Sequence, residues 1–118
     1  MFKAILINPT EKTITEVDYD ELGSYRQIYE FIDADLFDVV RLDDGDAIYI
    51  DDEGLYTKED MFLYGDYPQP LAGRGLVLGT DEEGETIAPK ISIDTVRQQV
   101  RWWKKVATPE DILEALLA

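Results

Sequence analysis

At 118 residues, 45% of them hydrophobic, the chain is of single-domain size with enough apolar material for one core, since a domain this long buries roughly two-thirds of the surface its unfolded chain exposes. It contains no cysteine and no histidine, which excludes disulfides, thiolate ligands and serine–histidine or cysteine–histidine catalysis, and removes the usual nitrogen and sulfur ligands of zinc. A net charge of −15 opposes direct binding to nucleic acid or to an anionic membrane, because both need Lys and Arg to meet phosphates.

In chain order, Phe2, Ala4 and Leu6 alternate with Lys3, Ile5 and Ile7, a strand apolar on both faces and therefore central in a sheet. Asn8-Pro9-Thr10 supplies a turn, and Thr13 to Tyr19 alternates as a half-exposed strand should. Asp20 is the predicted cap of a helix through Ile32, on which Leu22, Tyr25, Ile28, Tyr29 and Ile32 fall at helical spacing, with Gly23 and Ser24 weakening its first turn. Phe37 to Leu42 and Ala47 to Ile50 are β-rich runs split by Asp43-Asp44-Gly45-Asp46, a hairpin signal because Asp and Gly tolerate left-handed conformations. Leu55-Tyr56 reads as a short strand, Met61 to Tyr64 as a helical turn, and Tyr67 to Pro70 as irregular because of its two prolines. Leu76-Val77-Leu78 is a short buried strand between glycines, followed by the acidic loop Thr80 to Glu85.

The last third reads as helical. Ser92 caps a helix whose Ile93, Val96, Val100 and Trp103 share one face, and Thr108-Pro109-Glu110-Asp111 starts a second with Ile112, Leu113, Leu116 and Leu117. The expected class is α+β: a small, mostly antiparallel sheet built from a β-hairpin, a helix and a β-meander, with two C-terminal helices. Residues 1 to 118 form a single domain, with 1 to 90 a β-rich acidic body and 91 to 118 a helical segment. Residues 1 to 8 are too short for the hydrophobic region of a signal peptide, and no apolar run approaches the roughly 20 residues that cross a bilayer. A cytoplasmic location is expected.

Three acidic clusters are candidate sites: Asp43, Asp44 and Asp46; Asp51, Asp52 and Glu53; and Asp81, Glu82, Glu83 and Glu85. The helix–loop–helix calcium pattern fails on all of them, since placing Gly54 sixth puts Tyr49 first and placing Gly84 sixth puts Gly79 first. No metal ligand set or cofactor is expected. Gly73-Arg74-Gly75 precedes a strand instead of joining a strand to a helix, so it reads as close backbone approach at a strand edge and not as a phosphate loop. Trp102, rotated about 100° from the buried stripe, is predicted to lie with Arg97, Arg101 and Lys105 on an exposed helix face. That face is a candidate for self-association as a homodimer, or packs on the terminal helix.

Charge is uneven. Residues 91 to 106 hold Arg97, Arg101, Lys104 and Lys105 against Asp94 alone, so the remainder is more acidic than the total. An acidic body is read either as a solubility device or as a mimic of a phosphate row that occupies a basic surface.

The stretch Gln69-Pro70-Leu71-Ala72-Gly73-Arg74-Gly75-Leu76-Val77-Leu78-Gly79-Thr80-Asp81-Glu82-Glu83-Gly84, with an opening like Met1 to Pro9, resembles the phage- and plasmid-borne domain-of-unknown-function 3846 family over residues 1 to 90. The resemblance implies no catalytic residues. It implies a mobile-element setting, in which small acidic proteins that block host DNA-acting machinery are a known type. The functional expectation is a non-enzymatic acidic protein that binds a basic protein surface through the three clusters. The alternatives are a carboxylate-based cation-binding domain or enzyme, and a self-associating structural protein.

Overall fold

The computed structural model of the protein describes residues 1–104. Its first hairpin pairs β1 (Phe2–Asn8) with β2 (Thr13–Tyr19), from Phe2 opposite Tyr19 to Asn8 opposite Thr13. Asn8 closes the turn, its side-chain oxygen accepting the Thr10 and Glu11 N–H groups at 3.1 and 3.2 Å. As the paired apolar faces predict, β1 is central.

The segment after β2 departs from the periodicity. Asp20 does not cap a helix: its carboxylate accepts the Leu22 N–H, and the Gln27 side chain bonds both the N–H and the carbonyl of Asp20. These local bonds satisfy the backbone in turns instead of a helix. The helix α1 (Arg26–Ile32) begins only after them, burying Ile28 and Ile32 and leaving Leu22 and Tyr25 outside.

Of the predicted meander only its first hairpin forms, since the second neighbour of the strand Ala47–Asp51 is the strand Gly75–Thr80 and not one at Leu55-Tyr56. β3 (Phe37–Arg41) pairs antiparallel with β4 (Ala47–Asp51) across a tight turn in which Asp44 and Gly45 take φ of +59° and +84°. The next two assignments exchange: Leu55-Tyr56 lies in a helical turn, α2 (Gly54–Thr57), and the residues around Met61 form a strand, β5 (Asp60–Tyr64). After the prolines come β6 (Leu71–Ala72), β7 (Gly75–Thr80) and β8 (Thr86–Ile87). Ser92 caps α3 (Ile93–Gln99) as predicted, accepting the Thr95 N–H at 3.1 Å. The helix then stops, because Val100 to Lys104 form β9 against β5, with Met61 opposite Trp103 and Phe62 opposite Trp102. The C-terminal helix expected to run through Trp103 is therefore a short helix followed by a strand. The helix expected from Thr108 lies outside the described residues.

Every described strand pair is antiparallel, in two sheets. The main sheet has the order β2-β1-β7-β4-β3 with β8 on the end of β7, and the small one has the order β6-β5-β9. α1 covers one face of the main sheet, over Ala4, Tyr19, Leu76 and Leu78. On the other face Ile5, Ile7, Ile48 and Val77 meet Phe62, Tyr64 and Leu71 of the small sheet and Val96 of α3. The mostly antiparallel α+β class holds, as three layers with β1, β4 and β7 in the middle one. Among the described residues no helix is long and apolar enough to cross a membrane.

Glycine makes the second interface possible. A Cβ at Gly75 would sit 2.8 Å from the Phe62 ring and 2.9 Å from Ile48; at Gly79, outside that interface, one would sit 2.6 Å from the carbonyl oxygen of Ala88, just after β8. The predicted close approach is real, but it occurs in a central strand and not at an edge. Overpacked cores are destabilised by about 1–3 kcal/mol, so Gly75→Ala is expected to lower the urea unfolding free energy by that much. Adding Phe62→Leu to Gly75→Ala should restore part of the loss in the same measurement.

Candidate functional site

Strand register decides where the acidic turns lie. Ala47 pairs with Leu78 and Tyr49 with Leu76, so the turn before β4 sits at the end of the sheet where β7 finishes. β1 starts and β2 finishes at that same end, because Ile5 pairs with Val77 and Phe2 with Tyr19. Asp43 and Asp44, the loop Asp81 to Glu85, and Glu21 therefore share one end of the main sheet. A Cβ on Gly45 would touch the Thr80 carbonyl oxygen at 2.6 Å, which shows how closely the two loops abut. Across five strands spaced about 4.8 Å apart, the row is roughly 20 Å wide.

The third cluster is elsewhere. Asp51, Asp52 and Glu53 leave β4 at the opposite end, about 15 Å away along a five-residue strand. Three of the ten candidate acids also have structural partners. Asp46 is 3% exposed and its two carboxylate oxygens accept the Lys90 and Ile91 N–H groups, both at 2.9 Å. Asp51 is buried and accepts the Glu53 N–H, and Asp81 holds its own loop by accepting the Glu83 and Glu85 N–H groups. Of the candidate acids at the shared end, Asp43, Asp44, Glu82, Glu83 and Glu85 are left exposed; Glu21, exposed as well, is paired with the Met1 ammonium at 3.3 Å. Among the described residues, no group of three or more carboxylates is arranged to hold a metal ion.

The basic candidates are not gathered on one helix face. Arg97 on α3 donates to the Ile14 carbonyl at 3.0 Å and pairs with Asp94, while Arg101 on β9 donates to the Gly65 carbonyl. On a strand, successive side chains point to opposite faces, so Trp102 packs against the core and Trp103 is the exposed one, at 42%. This reverses the assignment made on a helical period. Lys105 lies outside the described residues.

Two clefts flank the acidic end, one on each face of the main sheet, and the sequence periodicity pointed to neither. On the small-sheet side, a cleft of about 490 Å³ is lined by Leu42, Asp43, Asp44, Tyr64, Asp66 and Lys90, among others. Tyr64 is 7% exposed, and its hydroxyl is buried with no hydrogen-bond partner among the described residues. Burial pushes its pKa up, and the negative charge of Asp46 adds to the shift. On the α1 side, a groove of about 540 Å³ is lined by Phe2, Tyr19, Leu22, Tyr25, Glu85 and Ile87, with Glu21 also on its wall. Phe2 and Tyr19 stack there with ring centroids 5.2 Å apart.

A family model described as Domain of unknown function (DUF3846) matches residues 2–101. The chain is similar to the "Uncharacterized protein y4iR" of Sinorhizobium fredii (strain NBRC 101917 / NGR234), 26% identical over 107 residues that cover 90% of this chain and 66% of that protein. It is also similar to "Protein PsiB" of Rhizobium leguminosarum bv. phaseoli, 24% identical over 99 residues that cover 83% of this chain and 74% of that one. The chain thus spans just under two thirds of the length of y4iR. No solved structure matches.

Two substitutions separate structural from exposed groups. Asp46→Ala leaves two backbone N–H groups without their acceptor, so it is expected to cost about 2–4 kcal/mol in urea unfolding. Asp52→Ala should stay within about 0.5 kcal/mol in the same assay. Tyr64→Phe removes a hydroxyl that makes no hydrogen bond among the described residues, and is expected to be neutral or stabilising by up to about 1 kcal/mol at neutral pH. Because the folded-state pKa of Tyr64 is raised above the ordinary 10.0, its contribution is complete below that pH and is lost as pH rises through the folded value. The variant should accordingly lose less stability than the parent above pH 10, read by unfolding midpoints across an alkaline series.

Proposed function

The chain belongs to the domain-of-unknown-function 3846 family, and from that premise we propose that it is a non-enzymatic acidic binding protein. Its partner in this reading is a basic protein surface, of the kind that DNA- or RNA-acting proteins present, in a phage or plasmid setting. One observation carries the reading: register gathers Asp43, Asp44, Glu82, Glu83 and Glu85 at one end of the main sheet. A single exposed ion pair contributes only about 0.2–1 kcal/mol. A row of like charges acts together, steering a basic partner from beyond contact and holding it in a salt-dependent way. The row sits on hairpin tips held by Asp81 and by the tight turn at Asp44 and Gly45, so little loop ordering is needed on association.

Within this reading, Asp51, Asp52 and Glu53 do not touch the same partner surface as the row, being at the far end of the sheet. The test uses an arginine-rich peptide as probe, titrated by calorimetry at several salt concentrations. The variant Asp43→Asn, Asp44→Asn, Glu82→Gln, Glu83→Gln, Glu85→Gln is expected to bind about tenfold more weakly or worse, with a shallower salt dependence. The pair Asp52→Asn, Glu53→Gln should change affinity less than about threefold. Equal losses in the two variants, or binding that persists unchanged into high salt, would sink the assignment.

A further inference from the structure

We propose that the groove on the α1 side of the acidic end receives an apolar side chain of the partner, from a segment in which that residue is flanked by Lys and Arg. The inference rests on the acidic-surface reading above and makes it specific: the partner is basic and amphipathic, not merely basic.

The local sequence creates the groove by failing to form a helix. Asp20 and Gln27 hold residues 20 to 25 in turns, so Leu22 and Tyr25 are not drawn onto the buried stripe with Ile28 and Ile32. Leu22 is 93% exposed and Tyr25 is 63% exposed. Single exposed apolar residues are ordinary, whereas two of them on the wall of one groove offer a partner side chain apolar surface to bury. Here the two side chains stand beside the stacked Phe2 and Tyr19 rings and Ile87, in a groove of about 540 Å³. The sheet holds most of this floor rigid, because Phe2 and Tyr19 are paired in the first hairpin and Ile87 is paired with Gly79.

The rim decides the occupant. Glu85 lines the groove itself, as does Glu21, whose carboxylate is already paired with the Met1 ammonium at 3.3 Å; Glu82 and Glu83 stand on the loop that Glu85 closes. Apolar walls beside an acidic rim complement an apolar residue with cationic neighbours, the arrangement in which a central anchor is shielded and the rim sets orientation. A second copy fits poorly. In a two-fold interface the same patch meets its own copy, which would bring one acidic rim against another.

The test compares two synthetic probes of equal charge: an amphipathic peptide of leucine and lysine, and an oligolysine. The parent protein is expected to bind the leucine-containing probe roughly tenfold more tightly. Leu22→Ser with Tyr25→Ser should erase that difference while leaving oligolysine binding as it was. Both positions are exposed, and a thermal melt superimposable on the parent's confirms that the variant folds. If the double variant keeps the tenfold preference while neutralising the acidic row still weakens both probes, the groove assignment is overturned and the acidic surface stands. If neither probe responds to salt or to neutralisation, the acidic-surface reading fails with it. A dimer seen by sedimentation in the parent and lost in Leu22→Ser would give the groove to a second copy and overturn the proposal.

Discussion

The two carboxylate oxygens of Asp46 accept the Lys90 and Ile91 N–H groups from inside the fold. Asp46 lies just before β4 in the main sheet, and Ile91 precedes the Ser92 cap of α3. One side chain therefore ties the middle layer to the segment from which α3 and β9 grow, and β9 in turn pairs with β5. Bonds from an ionised acceptor are stronger than neutral ones, and a buried N–H left without a partner is costly. Gly79 makes room for the arrangement, since a Cβ there would stand 3.2 Å from the same carboxylate. Gly75 lets Phe62 of the small sheet approach the main one, while Gly79 and the buried acid seat the segment that leads into α3.

The same geometry sorts the charge. The turn before β4 and the segment after it leave the strand at its two ends and are driven apart. β7 runs antiparallel to β4 and finishes where β4 begins, which returns the loop after β7 to that turn. Two of three acidic clusters thus meet, although some forty residues separate them in the chain. The charge that remains exposed there is held on tips the backbone already needs, with an apolar groove on one side of the sheet and a cleft on the other.

How legible this was depends on how local each cause is. The first hairpin, the Asp43 to Asp46 turn, the buried Leu76-Val77-Leu78 strand and the Ser92 cap all follow from residues within a few positions of each other, and each forms as read. Met61 to Tyr64 and Trp102-Trp103 carry a local helical pattern although they are each other's strand partners, about forty residues apart. No window of local periodicity contains both. The helix expected from Asp20 failed for a different reason, competition from side-chain bonds of Asp20 and Gln27 to the backbone, which a count of apolar spacing does not weigh.

By itself the sequence determined the composition of the problem: an acidic chain without histidine or cysteine, strands apolar on both faces, and turns built from Asp and Gly. Those are properties of side chains and of short-range backbone preference. Tertiary structure alone decided which acids are exposed, which are consumed by backbone N–H groups, which clusters share an end, and that Leu22 and Tyr25 border a groove instead of a core. Each depends on strand register and on contacts between residues far apart in the chain, and register is set by the simultaneous burial of both faces of the main sheet.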